Sequence, residues 1–210
     1  MRRVIKIIFI TTLISIVILI GTTIYNYYLT PKIVDKYINE GAIQYGFNNL
    51  PKEYQDIIIK VQDPGFYFHK GVDFKTPGAG WTTISQSLAK FFYFKDFKAG
   101  WRKIPQTIYA RFALNPKISK EQQLDFFINI IGFGNGKKGI LDASLFFYDK
   151  KPEDLTQDEF ISLIGLINNP NMLNPKDNLE ANKERVRKIK KYLRGEYIPK
   201  SVFDNKYEDA

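Results

Sequence analysis

The fold class that this sequence of 210 residues predicts is all-α, with a single transmembrane helix ahead of a helical domain. Three observations predict it. Residues 7–29 form an apolar run without a charge, later segments carry apolar residues at helical spacing, and alternating β-branched runs with hairpin turns are scarce. Hydrophobic residues make up 44% of the chain, which is enough to build a buried core.

The N-terminal apolar run has the length and the flanks of an uncleaved membrane anchor. At about 1.5 Å per residue, a helix over residues 7–29 covers roughly 35 Å and can cross the hydrocarbon core of a bilayer. A cleavable signal peptide has a shorter apolar region and a small-residue cleavage site, whereas no alanine precedes Ala42. Tyr25, Tyr27 and Tyr28 resemble the aromatic belt at a membrane surface.

Basic residues ahead of the anchor predict its orientation. Arg2, Arg3 and Lys6 precede the run, so the positive-inside rule places the N-terminus in the cytoplasm and the rest of the chain outside. We expect residues 1–31 to form the cytoplasmic tip and the anchor, which Pro31 ends. Residues 32–50 are expected to form a juxtamembrane helix and linker, and residues 51–210 one domain.

Seven segments beyond residue 50 are predicted to be helices from their apolar spacing. Ser119 is expected to cap the fourth of them, and Thr156 and Glu159 have the spacing of a capping box at the sixth. Glycine-rich joints are expected at 78–80 and 132–139. The seven segments cover residues 51–63, 82–92, 101–114, 119–133, 139–149, 156–167 and 177–194.

The charge balance limits the partners. A net charge of +9 fits an anionic partner such as phospholipid, pyrophosphate or nucleic acid. Nucleic acid is excluded for a domain outside the membrane, so the seven basic residues of the last helix are expected to face anionic lipid headgroups or water. The absence of cysteine excludes disulfides and thiolate metal sites.

The segment "KVQDPGFYFHKGVDF", residues 60–74, is the first candidate site. It contains the only histidine, His69, together with Asp63, Asp73 and four aromatic residues. Such a segment is either an active-site loop or a loop pinned to the core by its aromatics. A lone histidine is more often a hydrogen-bonded structural residue than a base.

A group of cations is the second candidate site. Gln86 and Lys90 share one helix face because they lie four residues apart, and Lys98, Arg102 and Lys103 follow closely. Four cations so close together either surround an anion or form a solvated basic face. Residue type and spacing alone favour the solvated face.

Five motifs in order resemble those of the family 51 glycosyltransferases, the membrane-anchored peptidoglycan polymerases. The family's E-D-x-x-F-x-x-H-x-G-x-D stands here as "QDPGFYFHKGVD" (62–73), and G-G-S-T-I-T-Q-Q-L-x-K as "GWTTISQSLAK" (80–90). The family's R-K-x-x-E stands as "RKIPQ" (102–106), and "FINIIGFGNGKKG" (127–139) is similar to the fourth motif. The fifth is "LTQDEFISLIGLINNPNMLNP" (155–175). The resemblance covers nearly everything beyond the anchor.

The resemblance implies an all-helical, lysozyme-like fold of two lobes, with a cleft near the membrane. Enzymes of this kind join lipid II to a growing lipid-linked glycan and displace undecaprenyl pyrophosphate with inversion. The glutamate of the first motif acts as general base, and the glutamate of the third motif and nearby cations assist the leaving group. The chain's length points to the monofunctional form of the family.

The resemblance also implies roles for individual residues. Asp63 and His69 would hold the first-motif loop. A pyrophosphate needs charge-assisted donors, which the cations of the second candidate site can supply. No cofactor or metal is expected, and a divalent cation accompanying the pyrophosphate is left open. The expected substrate-binding residues are Thr83, Gln86, Lys90, Lys98, Arg102, Lys103 and Asn129.

Two departures from the motifs bear directly on catalysis. The family's two glutamates fall on Gln62 and Gln106, and an amide cannot serve as a general base. Losing one positioned base typically costs about 10²–10⁴ in rate. Pro105 is expected to strain its helix, and Trp81 replaces a glycine. Only six residues separate Asp73 from Gly80, where the family has a longer mobile segment.

Three functional hypotheses follow. The first is a pseudoenzyme in the bacterial cytoplasmic membrane that binds lipid II or undecaprenyl pyrophosphate glycan and serves as a scaffold or regulator for other cell-wall proteins. The second is an active polymerase in which Asp63, Asp73 or His69 supplies the base. The third is a wall-degrading hydrolase, but that chemistry also needs a carboxylic acid, so Gln62 argues against it equally.

Overall fold

The computed structural model describes residues 1–210, which form eight α-helices and no β-strand; one isolated bridge joins Gly132 and Lys138. One-turn 3₁₀ helices cover Phe47–Asn49 and Pro152–Asp154. The predicted all-α class is therefore confirmed. The α-helices are α1 (Arg2–Asn39), α2 (Lys52–Gln62), α3 (Ile84–Tyr93), α4 (Lys103–Tyr109), α5 (Lys120–Ile130), α6 (Ile140–Tyr148), α7 (Gln157–Leu166) and α8 (Leu179–Leu193).

Both predicted helix caps are confirmed. The Ser119 hydroxyl accepts a hydrogen bond from the Gln122 N–H, and the Gln122 side chain accepts one from the Ser119 N–H. Thr156 and Glu159 make the same reciprocal pair at the start of α7. Each cap satisfies two N–H groups that have no partner within the helix, so the local sequence alone determines where these helices begin.

The expected juxtamembrane helix is present and joins the anchor without a break, because α1 continues through Pro31 to Asn39. Proline removes one main-chain donor from this helix. Beside it, the Thr30 hydroxyl lies 2.6 Å from the Asn26 carbonyl oxygen and 2.7 Å from the Tyr93 hydroxyl. The juxtamembrane helix is thus an extension of the anchor, and the domain boundaries at residues 31 and 50 stay predictions.

The expected strain at Pro105 is wrong. Pro105 is the third residue of α4, in the first turn, where a main-chain N–H has no acceptor within the helix. The predicted single helix over 101–114 is divided, because a π-helical segment, Ala110–Leu114, continues α4.

The helices pack in two groups around one continuous core. In the first group, α2 and α8 pack against α7. In the second, α1, α3 and the π-helical segment pack against α4 and each other, α5 packs against α3, and α6 contacts α7 and α5. The arrangement agrees with the lysozyme-like class.

The anchor helix is fixed to the second group by hydrogen bonds. α1 is long and apolar enough to cross a membrane, and its most apolar stretch is not covered by the rest of the chain. Closer to the domain, the Tyr109 hydroxyl donates to Thr22 at 2.8 Å, and the Thr30 hydroxyl contacts Tyr93. α3 and α4, which carry Tyr93 and Tyr109, are therefore held directly beside the anchor.

The close approach of the loop after α2 to the end of α4 generates a prediction. Gly71 and Gly100 both have positive φ, +95° and +101°. A Cβ at Gly71 would lie 2.6 Å from the Ala110 carbonyl oxygen, whereas a Cβ at Gly100 would meet nothing within 4 Å. Gly71→Ala and Gly100→Ala should each lose about 1–3 kcal/mol of unfolding free energy through backbone strain. Gly71→Ala should lose about 1–3 kcal/mol more through the clash.

Urea denaturation followed by circular dichroism in detergent measures both variants against the original chain. Equal denaturation midpoints for the two variants would mean that the loop does not press against Ala110.

Candidate functional site

A buried carboxylate organises the loop that follows α2. Asp63 is fully buried, and its oxygens lie 2.9 and 3.0 Å from His69 Nε2. One of them also accepts the Ile84 N–H, at the start of α3, at 2.9 Å. His69 Nδ1 accepts the Gly71 N–H at 3.0 Å, which places the ring proton on Nε2, pointing at Asp63. Both ring nitrogens are thus used in holding the loop.

Asp73 completes a cluster with Asp63 and His69, whose ligand-type atoms all lie within 4.8 Å of one another. Burial opposes ionisation of Asp73, but hydrogen bonds from Thr76 and from the Lys75 N–H outweigh it and hold the pKa of Asp73 below its usual range. The donor set does not fit a metal as it stands, because His69 Nε2 carries a proton and Asp63 already accepts that proton and the Ile84 N–H.

Lys120, the first residue of α5, is a neighbour of this cluster that the sequence did not reveal. Its Nζ is buried without a hydrogen-bond partner and lies 4.2 Å from the centre of the Phe66 ring. Burial lowers the pKa of Lys120, and the charge of Asp63 opposes that shift. The one available signal was a lysine in the first turn of a helix, where the helix dipole favours acids.

Gln62 and Gln106 both donate hydrogen bonds to main-chain carbonyls, and their match to the family's glutamates stays a prediction. Gln62 Nε2 lies 2.8 Å from the Ile164 oxygen, and Gln106 Nε2 lies 2.7 Å from the Gln86 oxygen. Gln106 is only 1% exposed, and its Oε1 has no partner. A carboxylate in either place would face a carbonyl oxygen with no proton to share.

Thr83 and Gln86 join three elements around the first-motif loop. Thr83 caps α3, with Gln86 as the reciprocal partner. The Thr83 hydroxyl donates to the Gly71 carbonyl at 2.8 Å, and Gln86 Nε2 donates to the Thr107 hydroxyl at 2.8 Å. These bonds tie α3 to the loop and to α4. Contact of either residue with a substrate stays a prediction.

The structure brings two of the four predicted cations together. Lys90 is half-buried, with its Nζ 4.4 Å from the centre of the Phe91 ring and no acidic partner. Lys103 Nζ donates to the Thr82 hydroxyl at 2.6 Å. Burial lowers the pKa of both lysines, and the charge of Lys90 lowers that of Lys103 further. Neither lysine forms an ion pair, and the two charges are close enough for Lys90 to affect Lys103.

The other two predicted cations lie on the segment that leads into α4. Arg102 donates to the Asp96 carbonyl and lies 5.7 Å from the centre of the Trp101 ring. Lys98 is exposed and pairs with no acid. No hydrogen bond or shared ring contact links Lys98 or Arg102 to Lys90, so their contribution to an anion site stays a prediction.

Asn129 ties the chain after the anchor to α5. Its Oδ1 accepts the N–H groups of Gln44 and Tyr45, each at 3.0 Å. Its Nδ2 donates to the carbonyls of Tyr45 and Asp125, each at 2.7 Å. The amide group is fully used in these bonds, so binding of a substrate by Asn129 would require some of them to break.

A cavity of about 570 Å³ opens beside Lys90, between α3 and the glycine-rich bend. The bend contributes two lysines that the sequence analysis did not single out. Lys137 pairs with Asp142 at 3.3 Å, and Lys138 is exposed. Two adjacent lysines inside a glycine-rich segment were the signal that could have identified them. The cavity's apolar wall consists of Phe91, Ile130, Ile131, Ile167 and Pro170.

Comparison with known proteins identifies a family and several relatives of this chain. Residues 31–194 match the protein family described as Transglycosylase. The chain is 28% identical over 169 residues to penicillin-binding protein 4 of Bacillus subtilis, and these residues cover 74% of the chain and 27% of that protein. It is 32% identical over 174 residues to penicillin-binding protein 1F of the same organism, covering 73% of the chain and 24% of the relative.

One relative is closer to this chain in length. A putative transglycosylase of Cupriavidus necator is 26% identical over 156 residues, which cover 69% of this chain and 65% of that protein. In contrast, the chain spans about a quarter of the length of the two Bacillus penicillin-binding proteins.

The buried Asp63 carboxylate generates a prediction. Asp63→Asn would turn an amide N–H₂ toward either His69 or the Ile84 N–H, both of which are donors. We expect the unfolding free energy to fall by about 1–3 kcal/mol, the usual loss when a buried donor is left unsatisfied. Asp56→Asn is the matched control on α2, because Asp56 is exposed and pairs only with Lys52. Equal urea midpoints for the two variants would contradict the organising role of Asp63.

Proposed function

The chain belongs to the transglycosylase family, glycosyltransferase family 51, and on that premise we propose that it binds lipid-linked peptidoglycan precursors by their pyrophosphate but is catalytically impaired. We place it in the bacterial cytoplasmic membrane, with its N-terminus in the cytoplasm and its domain outside. Lipid II or undecaprenyl pyrophosphate glycan is the proposed ligand. The observation that carries the proposal is the pair Lys90 and Lys103, half-buried and without an acid.

The electrostatics of this pair favour an anionic ligand. Burial lowers the pKa of both ammonium groups, and the charge of Lys90 lowers the pKa of Lys103 further. A pyrophosphate between them would supply the missing negative charge and accept charge-assisted hydrogen bonds. The apolar wall of the neighbouring cavity would pack against the non-ionic part of the same molecule.

The position of the pair suits a ligand whose lipid tail remains in the bilayer. Lys103 begins α4, and Tyr109 at the end of α4 is bonded to Thr22 of the anchor. α3, which carries Lys90, contacts the anchor through Tyr93. The two helices that carry these lysines are therefore held beside the anchor, and we propose that the pyrophosphate of a lipid-linked glycan lies there, near the membrane surface.

The impairment rests on the lack of a free base. Gln62 and Gln106 present amides, and both amide nitrogens are committed to carbonyls. Asp63 is buried and accepts two donors, and both nitrogens of His69 are occupied. A base role for either would require the loop to rearrange. Asp73 keeps one buried oxygen without a hydrogen-bond partner, which makes it the remaining candidate for a substitute base, but its lowered pKa makes it a weaker one.

The cation pair generates a binding prediction. Lys90→Ala and Lys103→Ala should each weaken binding of labelled lipid II by about tenfold or more, because each removes a charge-assisted donor worth about 1.5–3 kcal/mol. Lys95→Ala is the control, since Lys95 is exposed on the adjoining segment and forms no ion pair. Fluorescence anisotropy in detergent micelles measures the affinities.

Undiminished binding by both site variants, with the domain still folded by circular dichroism, would refute the assignment of these lysines to the pyrophosphate. Equal weakening of lipid II binding by Lys95→Ala would show that Lys90 and Lys103 act only through the general positive charge of the domain.

The missing bases generate a second prediction. The original chain should form no glycan polymer from lipid II. The double variant Gln62→Glu/Gln106→Glu should polymerise at least about 100-fold faster, because it regains the general base. It should also unfold at a lower urea concentration, because it loses two amide donors to main-chain carbonyls. Gel analysis measures the polymer, and Gln55→Glu serves as the control on α2. Robust glycan synthesis by the original chain would refute the proposed impairment.

A further inference from the structure

Two exposed aromatic rings stack at the edge of the domain. The rings of Trp81 and Phe203 lie 4.1 Å apart and 20° from parallel. Trp81 is 71% exposed and Phe203 is 51% exposed. Trp81 precedes α3, whereas Phe203 belongs to the segment after α8, which lies beyond the residues that match the family. A paired aromatic surface of this kind is costly to leave in water unless it binds something.

The main chain beneath the rings is held rigidly. The N–H groups of Gly78 and Gly80 donate to the carbonyls of Ser201 and Val202 at 2.9 and 2.7 Å. Gly80 has a φ of +73°, and a Cβ there would come within 2.5 Å of the Asn205 side chain. The short segment before α3 is therefore clamped by the C-terminal segment, and the two rings are already in place for a ligand.

The part of the C-terminal segment that reaches the core is held against α8. Tyr207 is fully buried and stacks on Tyr192 of α8, with ring centres 4.6 Å apart. The guanidinium of Arg185 donates to the carbonyls of Asn205 and Lys206 at 2.9 and 2.8 Å. The segment that carries Phe203 is thus part of the folded domain.

The charges around the rings disfavour an anion. Beside the rings lies a cavity of about 410 Å³ lined by the polar residues of the C-terminal segment. Lys200 pairs with Asp209 at 2.7 Å, and Lys206 with Glu208 at 3.8 Å. Asp204 accepts the Lys200 N–H and the Tyr197 hydroxyl but has no cationic partner. Because both lysines are paired and one carboxylate is not, this surface suits a neutral polar ligand better than an anion.

We propose that Trp81 and Phe203 form a platform that binds a glycan strand. A pyranose ring presents an apolar C–H face, which packs on an aromatic face, and a rim of hydroxyls, which need polar partners. The free face of Trp81 supplies the aromatic face, and the polar groups around Asp204 and Asn205 supply partners for the hydroxyls. The stacked Phe203 holds the indole ring in orientation.

The platform adjoins the proposed pyrophosphate site. Trp81 is followed by Thr82, whose hydroxyl accepts the Lys103 ammonium at 2.6 Å. A glycan attached to a pyrophosphate at Lys103 could therefore extend over the platform. The identity of the glycan as peptidoglycan rests on the proposed function, whereas the recognition of sugar rings rests on the platform itself.

The two tryptophans of the chain permit a direct test. In full-length protein with Trp101→Phe, in detergent micelles, Trp81 is the only indole. Titration with the N-acetylglucosamine tetramer should produce a saturable change in its fluorescence. Adding Phe203→Ala should weaken the affinity by about tenfold, the effect of losing roughly 1.4 kcal/mol of aromatic contact. Phe74→Ala is the control, because Phe74 is 69% exposed on the adjoining loop but stacks on no ring.

The absence of a saturable change, or equal weakening by Phe74→Ala and Phe203→Ala, would overturn the platform. A spectral change with lipid nanodiscs and none with the tetramer would assign the rings to the membrane and overturn it as well. The tetramer carries no phosphate, so its binding is independent of the lysine pair. If the protein binds the tetramer but not lipid II, the result counts against the proposed function alone. If it binds lipid II but not the tetramer, the result counts against the platform alone.

Discussion

The buried carboxylate of Asp63 is the interaction on which the rest of the site depends. It joins the end of α2 to His69 and to the first N–H of α3, where the helix dipole also favours a negative charge. His69 in turn holds Gly71, and Gly71 fits against the last turn of α4 because it has no side chain. One carboxyl group thereby sets the relative position of three helices. Its oxygens are occupied by these donors, as is usual for a buried polar group.

The amides at positions 62 and 106 are part of the hydrogen-bond framework of the domain. Gln62 connects α2 to α7, and Gln106 connects α4 to α3, each by donating to a carbonyl. Glutamate has nearly the same shape but no proton to donate when ionised. Neither hydrogen bond could therefore be kept by an ionised glutamate. Lys90 and Lys103 remain without an acid near them, so the site keeps the means to bind an anion.

The anchor is structurally continuous with the domain. α1 runs through Pro31 without a break, and hydroxyl contacts from Thr22 and Thr30 fasten it to α4 and α3. At the other end of the chain, the C-terminal segment clamps the residues before α3 through main-chain bonds. The segment between the first and second motifs is thus held from both sides, which gives the short connection from Asp73 to Gly80 a defined course.

Much of the fold follows from short-range patterns. The helix caps at Ser119 and Thr156, the all-α class and the order of the motifs depend on residues within a few positions of each other, so the sequence by itself determines them. The expectation that Asp63 and His69 brace a loop came instead from the resemblance to the family's first motif, and the two side chains do lie 2.9 Å apart.

Only the tertiary structure decides which side chains meet. It directs Arg102 to the Asp96 carbonyl, engages Asn129 fully with the chain after the anchor, and brings Phe203 onto Trp81. It also places Tyr93 of α3 beside Thr30 of α1. The physical reason is that local patterns are set by backbone geometry. Contacts between distant residues depend instead on packing, burial and the supply of hydrogen-bond partners, which no spacing along the chain records.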